Sequence, residues 1–174
     1  MTQTQPTVDL STWQTETREV TWALPGQGDY DAMSKLDGLG QLQAIEEGIV
    51  PPPPVMATID MNRFHAERGT VTCGVQVQTF HYNPLGGVHG GMISTLLDTA
   101  AGCSVHSTLD VGEGYTSLDL TVKFLRPVTL ESGQLTCIGK VLSRGRRTAL
   151  AEAQLFDENG KLLAHATSSC MIFG

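Results

Sequence analysis

The chain predicts an α+β domain: one long helix in the middle of the sequence, an antiparallel sheet wrapped around it, and a helical extension in front. Three observations lead there. An apolar ladder, "GGMISTLLDTAAGCSVHST" (90–108), carries a single formal charge, Asp98. Residues alternate with period two before it, in "GTVTCGVQVQTF", and after it, in "YTSLDLTVKFL". Three more alternating segments close the chain, separated by the turn-rich stretches "RPVTLESG", "SRGRR" and "DENG".

Taken in order, residues 1–28 are polar and without period, apart from Trp13 and Trp22. From Asp29 the apolar residues recur every three positions: Met33, Leu36, Leu39, Leu42 and Ile45. Asp29 and Asp31 stand at the start and Gly48 closes the run, which predicts one amphipathic helix weakened by Gly38 and Gly40. "PPPP" at 51–54 stops any helix and makes a short stiff spacer. Residues 1–54 are therefore expected to form an extension and 55–174 the domain. Next, Val71, Cys73, Val75 and Val77 face one way and Thr72, Gln76 and Gln78 the other, as in a half-buried strand. A helix is expected from 92 to about 107, and a strand with Leu118, Leu120, Val122 and Phe124 on one face. Strands near 134–143, 147–156 and 161–172 follow. The order is helix, strand, strand, long helix, then four antiparallel strands.

Composition bounds the function. A chain of 174 residues with 40% hydrophobic and 17% charged residues suits one soluble domain plus an extension. No run approaches the roughly 18 apolar residues of a membrane span, and the start lacks the basic and apolar regions of a signal peptide. The net charge of −7 lies entirely in residues 1–60, which argues against nucleic-acid binding. Cys73, Cys103, Cys137 and Cys170 are scattered through apolar segments. Free thiols in a reducing cytoplasm are expected, not a disulfide frame or a zinc site.

The central ladder holds the chemistry. At 100° per residue Ile93, Leu96, Leu97 and Ala100 share the face that presses on the sheet. Asp98 falls opposite, beside Thr95, Ala101 and Gly102, where small residues would let a second helix come close. An ordinary solvent face would carry several charges. A solitary acid between apolar neighbours costs stability unless it is paired or functional. Gly90 and Gly91 open the helix without a Ser, Thr or Asp cap, so free N–H groups are expected there, suited to a carbonyl oxygen that becomes negative. Eight residues, about 12 Å of helix, separate Gly90 from Asp98. Both can act on one substrate only if Asp98 comes from an antiparallel neighbouring chain. The site would then be split across a dimer and occur twice.

The pattern Asn83-Pro84-x-Gly86, His89-Gly90-Gly91, Leu97-Asp98 and Ala100, continuing into "GYTSLDLTVKFLRPV", resembles the hotdog-fold thioesterases of the PaaI-like, phenylacetate-degradation subfamily. The likeness covers about residues 40–174. It implies a sheet wrapped around one long helix through which chains pair, and hydrolysis of acyl-CoA thioesters without metal or cofactor. The uncovered helix back and the split site lead further to a dimer of dimers, a tetramer. Carried over by position, the Gly90 amide is the oxyanion donor and Asp98 the catalytic carboxylate, as general base or nucleophile. Asn83 and His89 line the thioester end, with Gly91 beside them. Ser117 matches a position that orients water or the acid. The expected strand register turns Ser117 away, which makes Thr116 its rival. For the phosphates of CoA the best basic run is Lys140, Arg144, Arg146 and Arg147, in a hairpin turn. A metal reading of His81, His89 and Asp98 lacks ligand spacing. His65, His106 and His165 read as ordinary surface or strand residues. Two other readings stay open: a hotdog hydratase or dehydratase with a His–acid pair, and a non-catalytic acyl-CoA-binding protein, against which the acidic leading segment speaks.

Overall fold

The computed structural model describes residue 11 and residues 14–174, so Trp13 lies outside it. Three short helices lead the chain: α1 (Gln27–Met33), α2 (Gly38–Glu46) and α3 (Pro54–Thr58). The single helix expected from Asp29 to Gly48 is thus broken. Asp37 turns its carboxylate back to accept the Gly40 N–H at 2.8 Å, capping α2. A capped restart is favoured locally over running a helix through two glycines. The fourth proline also differs from expectation. Pro54 is the first residue of α3, where a missing N–H costs nothing.

Strands β1 (Met61–Glu67) and β2 (Thr70–Gln76) follow, then α4 (Gly90–His106), β3 (Gly114–Ser117), β4 (Thr121–Phe124), β5 (Gln134–Arg144), β6 (Thr148–Phe156) and β7 (Leu162–Phe173). They form one antiparallel sheet in the order β1-β2-β5-β6-β7-β3, with β4 also paired to β7. Val71, Cys73 and Val75 of β2 are fully buried, as their alternation requires. Ile93, Leu96, Leu97 and Ala100 of α4 press on this face. Alanines on the inner face of β6 and β7, among them Ala151, Ala153 and Ala166, leave room for the helix to lie close. The approach is tightest at Gly139 of β5, where a methyl group would stand 2.0 Å from the Ala100 carbonyl oxygen.

The extension is not separate from this body. Leu42 of α2 packs against Ala66 and Val71, while Glu46 accepts the Ala66 N–H and pairs with His65. Packing therefore crosses the boundary expected at residue 54.

Two corrections bear on the site. The strand expected across 115–125 is split, giving five strands after α4 and not four. Ser117 pairs with Cys170 and Thr121 with Thr167, so three residues face two across the break. Asp119 fills it, accepting the Ser168 hydroxyl on its carbonyl at 2.8 Å and the Ser169 N–H on its carboxylate at 3.1 Å. Such a bulge flips the alternation. Tyr115 and Ser117 face the helix, and Leu118 is left exposed.

The back of α4 is also less open than expected. Ala101 and Gly102 are buried, with the Tyr115 ring lying over Gly102. At the last turn His106 is bonded to Gln41 of α2 at 2.8 Å. What stays open is the strip of Gly91, Thr95 and Asp98. All four cysteines are free thiols; burial pushes Cys103 up to about 12 and raises Cys137 and Cys170. Among the described residues no helix is long and apolar enough to cross a membrane.

Candidate active site

The start of α4 is built by the loop before it. Asn83 closes this loop on itself: its side-chain oxygen accepts the Leu85 N–H at 2.8 Å and its own N–H reaches the Gly87 carbonyl at 2.7 Å. The Asn83 side-chain amide has no acceptor among the described residues. Val88 N–H bonds to the Val128 carbonyl and His89 N–H to the His81 carbonyl, both at 2.8 Å. His81 is buried with both ring nitrogens committed, accepting from Gln78 N–H and donating to the Ile59 carbonyl. Burial lowers its pKa, so it stays neutral and structural.

His89 changes the expected chemistry of the helix start. Its Nδ1 accepts the Gly91 N–H at 2.9 Å and so caps α4 itself. The expectation of two free glycine amides is corrected to one. Gly91 is occupied, and the Gly90 N–H has no acceptor among the described residues. A neutral imidazole accepting on Nδ1 carries its proton on Nε2, which leaves His89 a second donor.

Between this loop and residues 124–129 lies a cavity of about 550 Å³, lined by Asn83, Gly90, Ile93, Phe124, Arg126 and Val128 among others. The Phe124 ring lies so close that a methyl group on Gly90 would meet it at 3.2 Å. Among the residues lining this cavity Arg126 is the one with a charge. Sequence reasoning passed over it, although the same signal that marks Asp98 was present: one charge inside an apolar run, "FLRPVTL".

Asp98 does not line that cavity. It stands about 12 Å further along α4 on the open strip. Partial desolvation by its neighbours, with the side chain still open to solvent, raises its pKa above the usual carboxylate value, and a hydrogen bond from Ser117 pulls it back. Ser117 therefore meets the acid, because the bulge reversed the face assigned from sequence. Thr116, the rival, occupies the opposite face of β3 and its hydroxyl reaches only the Ser117 carbonyl, at 3.5 Å.

The basic hairpin lies elsewhere. Arg144 is committed to Glu113 at 2.7 Å, to the Thr108 hydroxyl and to the Gly145 carbonyl, which ties the hairpin to the loop after α4. Arg146 and Arg147 line a separate cavity with Glu113 and Phe173. This is the far end of α4 from Gly90, about 24 Å away along the helix axis. His65 pairs with Glu46 and His165 with Glu152, neither near the cavity beside Gly90.

The thioesterase superfamily profile matches residues 85–164, which hold Gly90, Asp98, Ser117 and the strands that position them. A phenylacetic acid degradation-related protein of Ralstonia eutropha JMP134 is 30% identical, covers 75% of this chain and 98% of its own, and superposes with a TM-score of 0.67. Acyl-coenzyme A thioesterase 13 of Homo sapiens is 29% identical over 100 residues, 57% of this chain and 70% of that protein. The E. coli PaaI protein from the phenylacetic acid degradation operon shares the fold at a TM-score of 0.68 and 19% identity, over 79% of this chain and 94% of its own. The chain belongs to the thioesterase superfamily, as a hotdog-fold thioesterase of the PaaI-like branch.

Proposed function

We propose that the protein hydrolyses acyl-CoA thioesters, aryl or medium-chain, to the free acid and CoA in sites that two antiparallel copies of the chain complete together. The observation that carries this reading is the separation of the two halves of the chemistry. An unpaired amide and an amide side chain, Gly90 and Asn83, share one cavity, while the acid and its hydroxyl partner, Asp98 and Ser117, stand two turns away on the strip the chain leaves open.

In the assembled site the thioester carbonyl accepts the Gly90 N–H of one chain. The helix dipole adds to the stabilisation of the oxyanion. Asp98 of the other chain takes a proton from water as it attacks, the C–S bond breaks, and the thiolate of CoA leaves with that proton. If Asp98 instead attacks the carbonyl carbon directly, the C–S bond breaks and CoA leaves as the thiolate. The mixed anhydride that forms is hydrolysed by water, whose protons go to the thiolate and the released acid. A thioester is activated enough for either course with one donor and one carboxylate. The named acyl-coenzyme A thioesterase among the relatives supports the substrate class. Neither the hydratase nor the sensor reading gains an observation: His89, the only histidine near Gly90 with a free ring nitrogen, spends its Nδ1 on the helix cap.

The test is a panel of aryl- and alkyl-CoA esters followed by release of free thiol, run together with light scattering. Turnover of at least one class by an assembly of two or four chains is expected. A monomer active at assay concentration would overturn the split site.

A further inference from the structure

The anion-binding end of this site is assigned differently from the hairpin that sequence favours. We infer that Arg126 is the cation that receives a phosphate of the substrate's CoA moiety, on the same chain that supplies Gly90. The inference rests on the acyl-CoA reading above.

Four observations lead to it. Arg126 borders the cavity that holds Gly90 and Asn83 and is the charged side chain among its lining residues. Its guanidinium is held in place: Nη1 donates to the Leu162 carbonyl at 2.5 Å, and the Arg126 N–H donates to the Leu163 carbonyl at 3.1 Å. Among the described residues no carboxylate lies within ion-pair distance of it, so its charge is unspent. The hairpin cation Arg144 is compromised: it is neutralised by Glu113 and bonded to the Thr108 hydroxyl, and within the chain that supplies Gly90 the hairpin adjoins the opposite end of α4.

The cavity itself fits the rest of the ligand. Leu85, Ile93, Phe124, Leu125 and Val128 make its wall apolar, with Leu85 91% and Phe124 55% exposed. Large apolar side chains held open beside an unpaired amide suit the methylene segments of a slender arm with a thioester at its inner end. A fixed guanidinium at the rim offers several donors in a planar fork, the geometry that phosphate oxygens accept.

The test compares two thioesters of one acyl group, the CoA ester and the N-acetylcysteamine ester, which has no phosphate. The wild type is expected to favour the CoA ester through a lower KM. Arg126→Gln is expected to raise KM for the CoA ester about tenfold with kcat unchanged, as loss of uniform binding does. It should leave the N-acetylcysteamine ester unaffected, and Arg126→Lys should recover most of the loss. Inhibition by adenosine 3′,5′-bisphosphate should weaken in parallel. Arg146→Gln with Arg147→Gln is expected to change KM less than twofold. A wild-type preference for the CoA ester that survives Arg126→Gln, or passes to the hairpin variant, overturns the assignment alone. A wild type with no such preference overturns the acyl-CoA reading and the assignment with it. A misfolded Arg126→Gln would lose both esters equally; Arg126→Lys, which keeps the charge on a similar stem, must then retain the preference or the assignment falls.

Discussion

The two ends of α4 are built from similar residues and treated oppositely by the rest of the chain. At the C-terminal end, Tyr115 covers Gly102, α2 covers the last turn, and His106 is held by Gln41 with burial keeping its pKa low. At the N-terminal end Gly91 is exposed and the Gly90 amide opens into a cavity, and the open strip runs from there to Asp98 at mid-helix. A chain that can close one end of a helix with its own strand and helix leaves the other open at a cost. That cost is avoided if a second copy covers it. On the proposed function, the covered end serves stability and the open strip serves catalysis.

The sharpest way to break this division is Asp98→Asn, which keeps the shape and removes the proposed base. Turnover should fall at least about 10²-fold, the usual scale of general acid–base catalysis. Stability should move the other way. A carboxylate whose folded pKa is raised contributes stability that is present below its unfolded pKa and lost as pH rises through the folded pKa. The amide has no such loss, so a melting temperature at neutral pH equal to or above wild type is expected. A lower one would mean that Asp98 is structural.

At the covered end the opposite result is expected. A methyl group at Gly38 would stand 1.8 Å from the His106 carbonyl oxygen, so Gly38→Ala must push α2 off the helix end. The cost should be about 1–3 kcal/mol, or roughly 3–10 °C in melting temperature, with kcat nearly unchanged. A large loss of kcat at normal stability would contradict the division.

Ser117→Ala sharpens the account of the open end. Activity that needs ionised Asp98 falls on the acid side of the pH profile, and partial desolvation starts that fall above the usual carboxylate value. The Ser117 hydrogen bond favours the charged form. Its removal should move the acid limb of kcat/KM to higher pH, with a few-fold loss at the wild-type midpoint. A limb that stays or moves down would exclude Ser117 as the partner of the acid.

The smallest effect is the most specific. Hybrid dimers of an Asp98→Asn chain and a Gly90→Pro chain contain one site lacking both groups and one lacking neither. They should keep about half the wild-type activity, although each parent homodimer is nearly inactive. Inactive hybrids would mean that the two groups do not act across the interface.

Much of the fold was legible in the chain because local physics dictated it. Alternating residues such as Val71, Cys73 and Val75 can bury only one face, and the ladder from Ile93 to Ala100 can press only one stripe on a sheet. Asp98 announced itself by being the one charge in that ladder. Other features required contacts between residues far apart in sequence. Asp119 binding β7 at Ser168 and Ser169 inserted the bulge that turned Ser117 toward the acid, reversing a face that periodicity alone assigned the other way. Glu113 claimed Arg144, and the His89 ring claimed the Gly91 amide. Whether a donor or a charge is free depends on what the folded chain brings against it. That is why Gly90, whose N–H has no acceptor among the described residues, and Arg126, which has no carboxylate partner among them, could be told from Gly91 and Arg144 only in the tertiary structure.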